Sequence, residues 1–235
     1  MSDNPFINTS SSKKSTFNKK QERFSYVEPG KIISDRAYSA LIGLITAYGL
    51  IMNFVICRFF SDYFIHMNYA TVLIAYIIGC IVGVIMVNAS KNPVVSFIGY
   101  NLVVIPLGIV LSLCLVGYDP TTVFHAIGMT ASVVVIMLCL SMLFPQVFLK
   151  MGRVLFASLL VSVVVSLIFA FLGIASNLYS FIVAIIFSLY IGYDWAKAMQ
   201  YPKTVDNAVD SACDIYLDII NLFLRILSIM ARSKD

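Results

Sequence analysis

Seven stretches of this chain, at approximately residues 37–60, 69–88, 94–117, 122–144, 153–175, 177–197 and 208–230, are each about 20 or more residues long and mostly apolar. About 20 apolar residues in a helix cross roughly 30 Å of hydrocarbon, and a water-facing fold of this size has nowhere to bury seven such segments. Composition agrees, with 60% apolar and 12% charged residues, against about 45–50% and about 25% in a soluble domain. Barrel strands are about 10 residues long and alternate in polarity, whereas residues 133–140 are apolar on every side. The sequence therefore predicts an all-α integral membrane protein, a seven-transmembrane-helix bundle. The tight turn at Ser176–Asn177 leaves a six-helix count open, although one span over both runs would far exceed the bilayer.

Three regions follow. Residues 1–36 form a basic polar tail, with Lys13, Lys14, Lys19, Lys20 and Arg23 among serines and threonines, read as a disordered cytosolic segment or a strip drawn to anionic lipid. No short apolar core with a small-residue cleavage site follows it, so it does not read as a removable signal. Residues 37–231 are the transmembrane domain, and 232–235 a short C-terminal tail. Lysine and arginine counts set orientation. Seven lie in the tail through Arg36, and Lys91, Lys150, Arg153, Lys197 and Lys203 fall in loops on the same side, against Arg58 alone on the other. The N-terminus is thus expected in the cytoplasm. Arg225, Arg232 and Lys234 oppose an outward C-terminus; either the last segment crosses incompletely or these charges tolerate the outer face.

Ionisable groups inside a bilayer cost about 2.5–3.5 kcal/mol each at a helix centre, and this chain gathers them in one place. Asp194 stands near the end of the sixth segment, and the seventh carries Asp206, Asp210, Asp214 and Asp218. Steps of four residues advance about 40° around a helix, so Asp214 and Asp218 share a face. Asp206 and Asp210 read as a solvated first turn, where carboxylates suit the helix dipole. Asp214 and Asp218 lie about two and three turns in, followed by Ile219, Ile220 and Leu222. Burial and mutual repulsion favour the protonated carboxyl, and a close pair shares its proton. A proton-sensitive or cation site is the expectation; the plainer alternative is structural acids paired with Arg225 or a lysine.

Other features carry less. Gly79 and Gly83 form a close-packing GxxxG, and Pro106 with Gly108 suggests a kink. His66 and His125 lack partners at metal spacing, and Trp195 suits an interfacial belt. The five cysteines are odd in number and widely spaced within apolar segments, reading as small buried hydrophobes with reduced thiols. No phosphate-binding glycine loop, zinc motif or nucleophile elbow occurs, and at net charge +4 without a folded basic face, nucleic acid is not an expected partner.

The run Asp214-Ile215-Tyr216-Leu217-Asp218-Ile219-Ile220-Asn221-Leu222-Phe223 closely resembles the last-helix signature of the Bax inhibitor-1 family. Ile185-Ile186-Phe187-Ser188-Leu189-Tyr190-Ile191-Gly192-Tyr193-Asp194 resembles the sixth helix of its bacterial members. The resemblance implies six helices around a central one and a pH-sensitive calcium leak. It implies a hydrogen-bonded di-aspartyl sensor formed by Asp194 and Asp218, which doubles as a transient calcium site. No cofactor and no enzymatic activity are implied; calcium is the permeant ion, and the partners are lipid, calcium and protons. Two departures stand out. Where bacterial members carry a latch arginine at the end of the second helix, Lys91 is the only base here, and Asp214 replaces a usually small polar residue. Some bacterial relatives regulate a membrane-anchored AAA+ quality-control protease, an alternative role for the polar tail. An intramembrane aspartyl protease is disfavoured, because the Gly-x-Gly-Asp and Pro-Ala-Leu elements are missing.

Overall fold

The computed structural model describes residues 31–233. The expected tail through residue 30 and the last two residues lie outside them. Among the described residues the chain is all helical: α1 (Asp35–Phe59), α2 (Ser61–Ile65), α3 (Tyr69–Ala89), α4 (Pro93–Leu115), α5 (Pro120–Leu143), α6 (Pro145–Leu172), α7 (Asn177–Ala198) and α8 (Val205–Arg232).

Short polar side chains cap most of the long helices by accepting backbone N–H groups that have no partner within the helix. Ser34 accepts from Ala37, Asn68 from Ala70, Asn92 from Val94, Asp119 from Thr122, Ser176 from Tyr179 and Thr204 from Asn207. Proline occupies the first position of α4, α5 and α6, where its missing N–H costs nothing. That placement explains the largest boundary difference. The fifth segment was expected from residue 153, but α6 starts at Pro145, so Lys150 and Arg153 sit on its opening turns rather than in a loop. At its other end Gly173 turns left-handed at φ 67°, freeing Ile174 N–H to bond the Phe169 carbonyl at 2.9 Å.

Six helices, α1 and α3 to α7, are long and apolar enough to cross a membrane. They turn large apolar side chains outward, among them Leu44 and Phe54 on α1 and Leu167 and Phe171 on α6. α8 is different. At 28 residues it is about 42 Å long, yet its aspartates and arginines make it too polar to count as a span by composition. More than half of it is buried, because it runs through the middle of the bundle against α1, α4, α5 and α7. α6 packs chiefly on α7 instead, so the ring around the central helix is less even than six around one.

Named contacts fix which ends lie together. Ile33 N–H bonds the Lys203 carbonyl at 2.8 Å, and Ser96 donates to Asp206 at 2.7 Å. Gly152 lies against the Tyr193 ring. The starts of α1, α4, α6 and α8 therefore share one end with the finishes of α3, α5 and α7. This basic end also carries Lys91, Lys150, Arg153, Lys197 and Lys203. α8 finishes at the opposite end, where Arg225 stacks over the Tyr179 ring at 5.5 Å and Met230 lies beside Phe124 and His125.

The small-residue pattern on α3 resolves into a close crossing with α4. A Cβ on Gly83 would stand 2.5 Å from the Gly99 carbonyl oxygen, and one on Gly99 2.8 Å from that of Gly83. α4 continues through Pro106, whose ring fills the space beside Gly79. Trp195 faces inward rather than joining an interfacial belt, since it belongs to the buried core with Ile191 and Ala198. All five cysteines are free thiols; Cys213 is buried, but Cys114 and Cys139 are exposed on the bundle's apolar outside.

Candidate functional site

The last turns of α7 and the middle of α8 run antiparallel. On α7, Tyr190, Tyr193, Asp194 and Lys197 follow one another at spacings of three, one and three, which keeps them on a single face. On α8 the opposing face carries Asp214, Asp218, Asn221 and Arg225, at spacings of four, three and four. Two polar stripes thus meet inside the bundle.

Lys197 holds the centre. Its Nζ donates to Asp194 Oδ1 at 3.0 Å and to Asp214 Oδ2 at 3.1 Å, tying the two helices together. The ammonium also lies over the rings of Tyr193 at 5.8 Å and Tyr201 at 6.0 Å, where ring faces add favourable electrostatics. Exposure falls with depth, from 37% for the Asp214 side chain to 18% for Lys197 and 10% for Asp194. Asp218, deeper still, is buried.

Asp194 and Asp218 are both buried, one on each of the two facing stripes. No N–H donor reaches Asp218 Oδ2 among the described groups. Ionised carboxylates can only accept, so two of them hydrogen-bond to each other only when one carries a proton and donates it. Three carboxyls around one ammonium leave the cluster with excess negative charge, and a shared proton lowers it.

The neighbouring helices hold α7 in place. Ser141 of α5 donates to the Gly192 carbonyl at 2.6 Å, and the Phe148 ring of α6 fills the space where a Gly192 side chain would stand. Both contacts are two residues from Asp194. On the far side of α8, Asn53 donates to the Tyr216 hydroxyl at 2.6 Å, and Tyr100 meets the Tyr216 ring edge to face at 5.5 Å.

The structure thus joins Asp194 and Asp214 through Lys197, with Asp218 buried one turn further along α8, and leaves Lys91 apart. Lys91 is exposed just past the end of α3 and makes no ion pair with a described residue. The cation on the acids is Lys197, which sequence reading placed in a loop; its spacing of three from Asp194 was the available signal. Arg225 is engaged with Tyr179 at the other end, away from the carboxyls. Asp206 and Asp210 are buried rather than solvated, since α1 and α4 enclose the first turns of α8 and Ser96 bonds Asp206. Among the described residues no group of three or more His, Cys, Asp or Glu side chains is arranged to hold a metal ion. His66 and His125 are both exposed. Calcium takes six to eight oxygens, and the ammonium beside Asp194 works against a cation there in this conformation.

An all-helical membrane bundle with a buried carboxyl cluster on its central helix is the class that this fold and site define. The family model for the inhibitor of apoptosis-promoting Bax1 matches residues 33–235, so the chain belongs to the Bax inhibitor-1 family. An uncharacterized protein of Helicobacter pylori strain J99 is 37% identical over 117 residues, covering 48% of this chain and 49% of the relative. An uncharacterized membrane protein of Streptococcus pyogenes serotype M3 is 32% identical over 136 residues, 54% of this chain and 58% of the relative. One from Vibrio cholerae is 29% identical over 147 residues, 61% and 65%. The chain spans about half the length of the Helicobacter relative and under two thirds of the others.

Proposed function

We propose that this protein is a pH-sensitive calcium leak of a plasma membrane, gated by one proton shared between Asp194 and Asp218. The observation that carries the reading is a pair of buried acids on adjacent helices, Asp194 beside Lys197 and Asp218 with an oxygen that no hydrogen-bond donor reaches among the described groups. Family membership agrees with it. With the proton in place the two helices are bridged and the path is closed. When it leaves, two carboxylates in a low-dielectric interior repel, α7 and α8 separate at this level, and the freed oxygens attract a cation. Asp214, half exposed, is the entry charge, and Lys197 moves with whichever acid is ionised.

In this reading α8 completes a seventh crossing, with its acids turned inward and the apolar outer helices meeting lipid. The N-terminus is cytoplasmic because the basic end of the bundle is the inner one. The alternative, regulation of a membrane-anchored protease through the polar tail, involves residues outside those described. Deleting the tail separates the two, since flux survives its loss and a tail-dependent interaction does not.

The deciding experiment is calcium flux into liposomes holding the purified protein, scanned from mildly acidic to mildly basic pH. Wild type is expected to open as pH rises. Asp194→Asn and Asp218→Asn are expected to abolish that dependence. Flux that ignores both pH and the substitutions overturns the gate.

A further inference from the structure

We propose that the groove between α6 and α7 binds one anionic phospholipid, with an acyl chain in the groove and the phosphate on Arg153. The groove encloses about 680 Å³ and is open on the outside of the bundle. Its walls are Ala157, Val161 and Val165 of α6 and Val183 and Ile186 of α7, so hydrocarbon is the occupant its surface suits. The hydroxyl-bearing Ser158 and Ser162 of α6 interrupt these walls, and the largest polar groups stand at the two ends. Arg153, exposed and in no ion pair with a described residue, stands at the basic end. Tyr179 closes the other end, where its hydroxyl donates to the Ser162 carbonyl at 2.5 Å.

Length points to a lipid rather than to a second copy of the chain. From Arg153 to Val165 the groove follows twelve residues of α6, about 18 Å at 1.5 Å per residue. That is close to the depth of one leaflet, half of a roughly 30 Å core. The groove stops at Tyr179, partway along the 28 residues of α6. The charge points the same way. A guanidinium at the basic mouth of the groove, three residues after Lys150, matches an anionic headgroup.

The test titrates the purified full chain in detergent with phosphatidylglycerol or phosphatidylcholine of identical acyl chains, and counts bound lipids by native mass spectrometry. One phosphatidylglycerol is expected to bind about five-fold more tightly than phosphatidylcholine, the effect of one basic residue near a headgroup. Arg153→Gln is expected to erase that preference while leaving the weaker binding. Val161→Trp alters a side chain that is 63% exposed, so the fold tolerates it; by filling the groove it is expected to remove the single bound lipid of either kind. Equal binding of both lipids by wild type, or a preference that survives Arg153→Gln, overturns the proposal. So does a dimer that Val161→Trp disperses, because the groove would then belong to a second copy.

Discussion

Lys197 sits 3.0 Å from Asp194 and 3.1 Å from Asp214, and this shared cation is what makes the acid cluster tolerable inside the bundle. Its loss has a definite sign under the proposed gate. Without the ammonium the carboxyls keep their proton to higher pH, so Lys197→Gln is expected to raise the pH midpoint of flux by about one unit or more. Lys91→Gln, at an exposed position away from the acids, is expected to leave that midpoint in place. Asp214→Asn acts in the opposite direction. It removes a like charge and leaves Lys197 to Asp194 alone, so the midpoint is expected to fall; no change in either variant argues that the cluster does not gate. Local reading of the sequence found the acids because carboxylates in an apolar run stand out. It missed Lys197 because a lysine near a helix end looks like any other charge at the inner surface.

Helix contacts set how rigidly the site is held. The α3–α4 crossing depends on the absence of side chains at Gly83 and Gly99, where backbone approaches backbone. Gly83→Ala places a methyl group against a carbonyl oxygen that cannot move aside. It is expected to destabilise the protein by about 1–3 kcal/mol, seen as a lower midpoint of thermal unfolding in detergent, with little effect on the pH midpoint of flux. Gly192→Ala forces α7 off the Phe148 ring two residues from Asp194. It is expected to change both stability and flux, which distinguishes a contact that positions the gate from one that only packs the bundle.

Across the whole molecule, α8 begins at the basic end beside Ile33 and Ser96 and finishes at the other, beside Tyr179 and His125. If it crosses the bilayer, the two ends of the bundle face opposite compartments. A single cysteine introduced at Ser34 in a background without native cysteines is then expected to resist a membrane-impermeant maleimide added outside intact cells, while one at Ser233 is labelled. Labelling of both, or of neither, argues that the central helix does not complete a crossing.

By itself the sequence determined that this is a helical membrane protein, where its long helices run to within a few residues at most ends, and which acids are unusual. Those properties follow from local facts: a run of apolar residues long enough for a bilayer, prolines and short polar caps that start helices, and charges that have no solvent at their depth. Tertiary structure decided the rest. It placed the most polar long helix at the centre, buried Asp206 and Asp210, turned Trp195 inward and chose Lys197 over Lys91 as the partner of the acids. Each of these depends on which helix lies beside which, and pairing between distant segments leaves no periodic mark on either one.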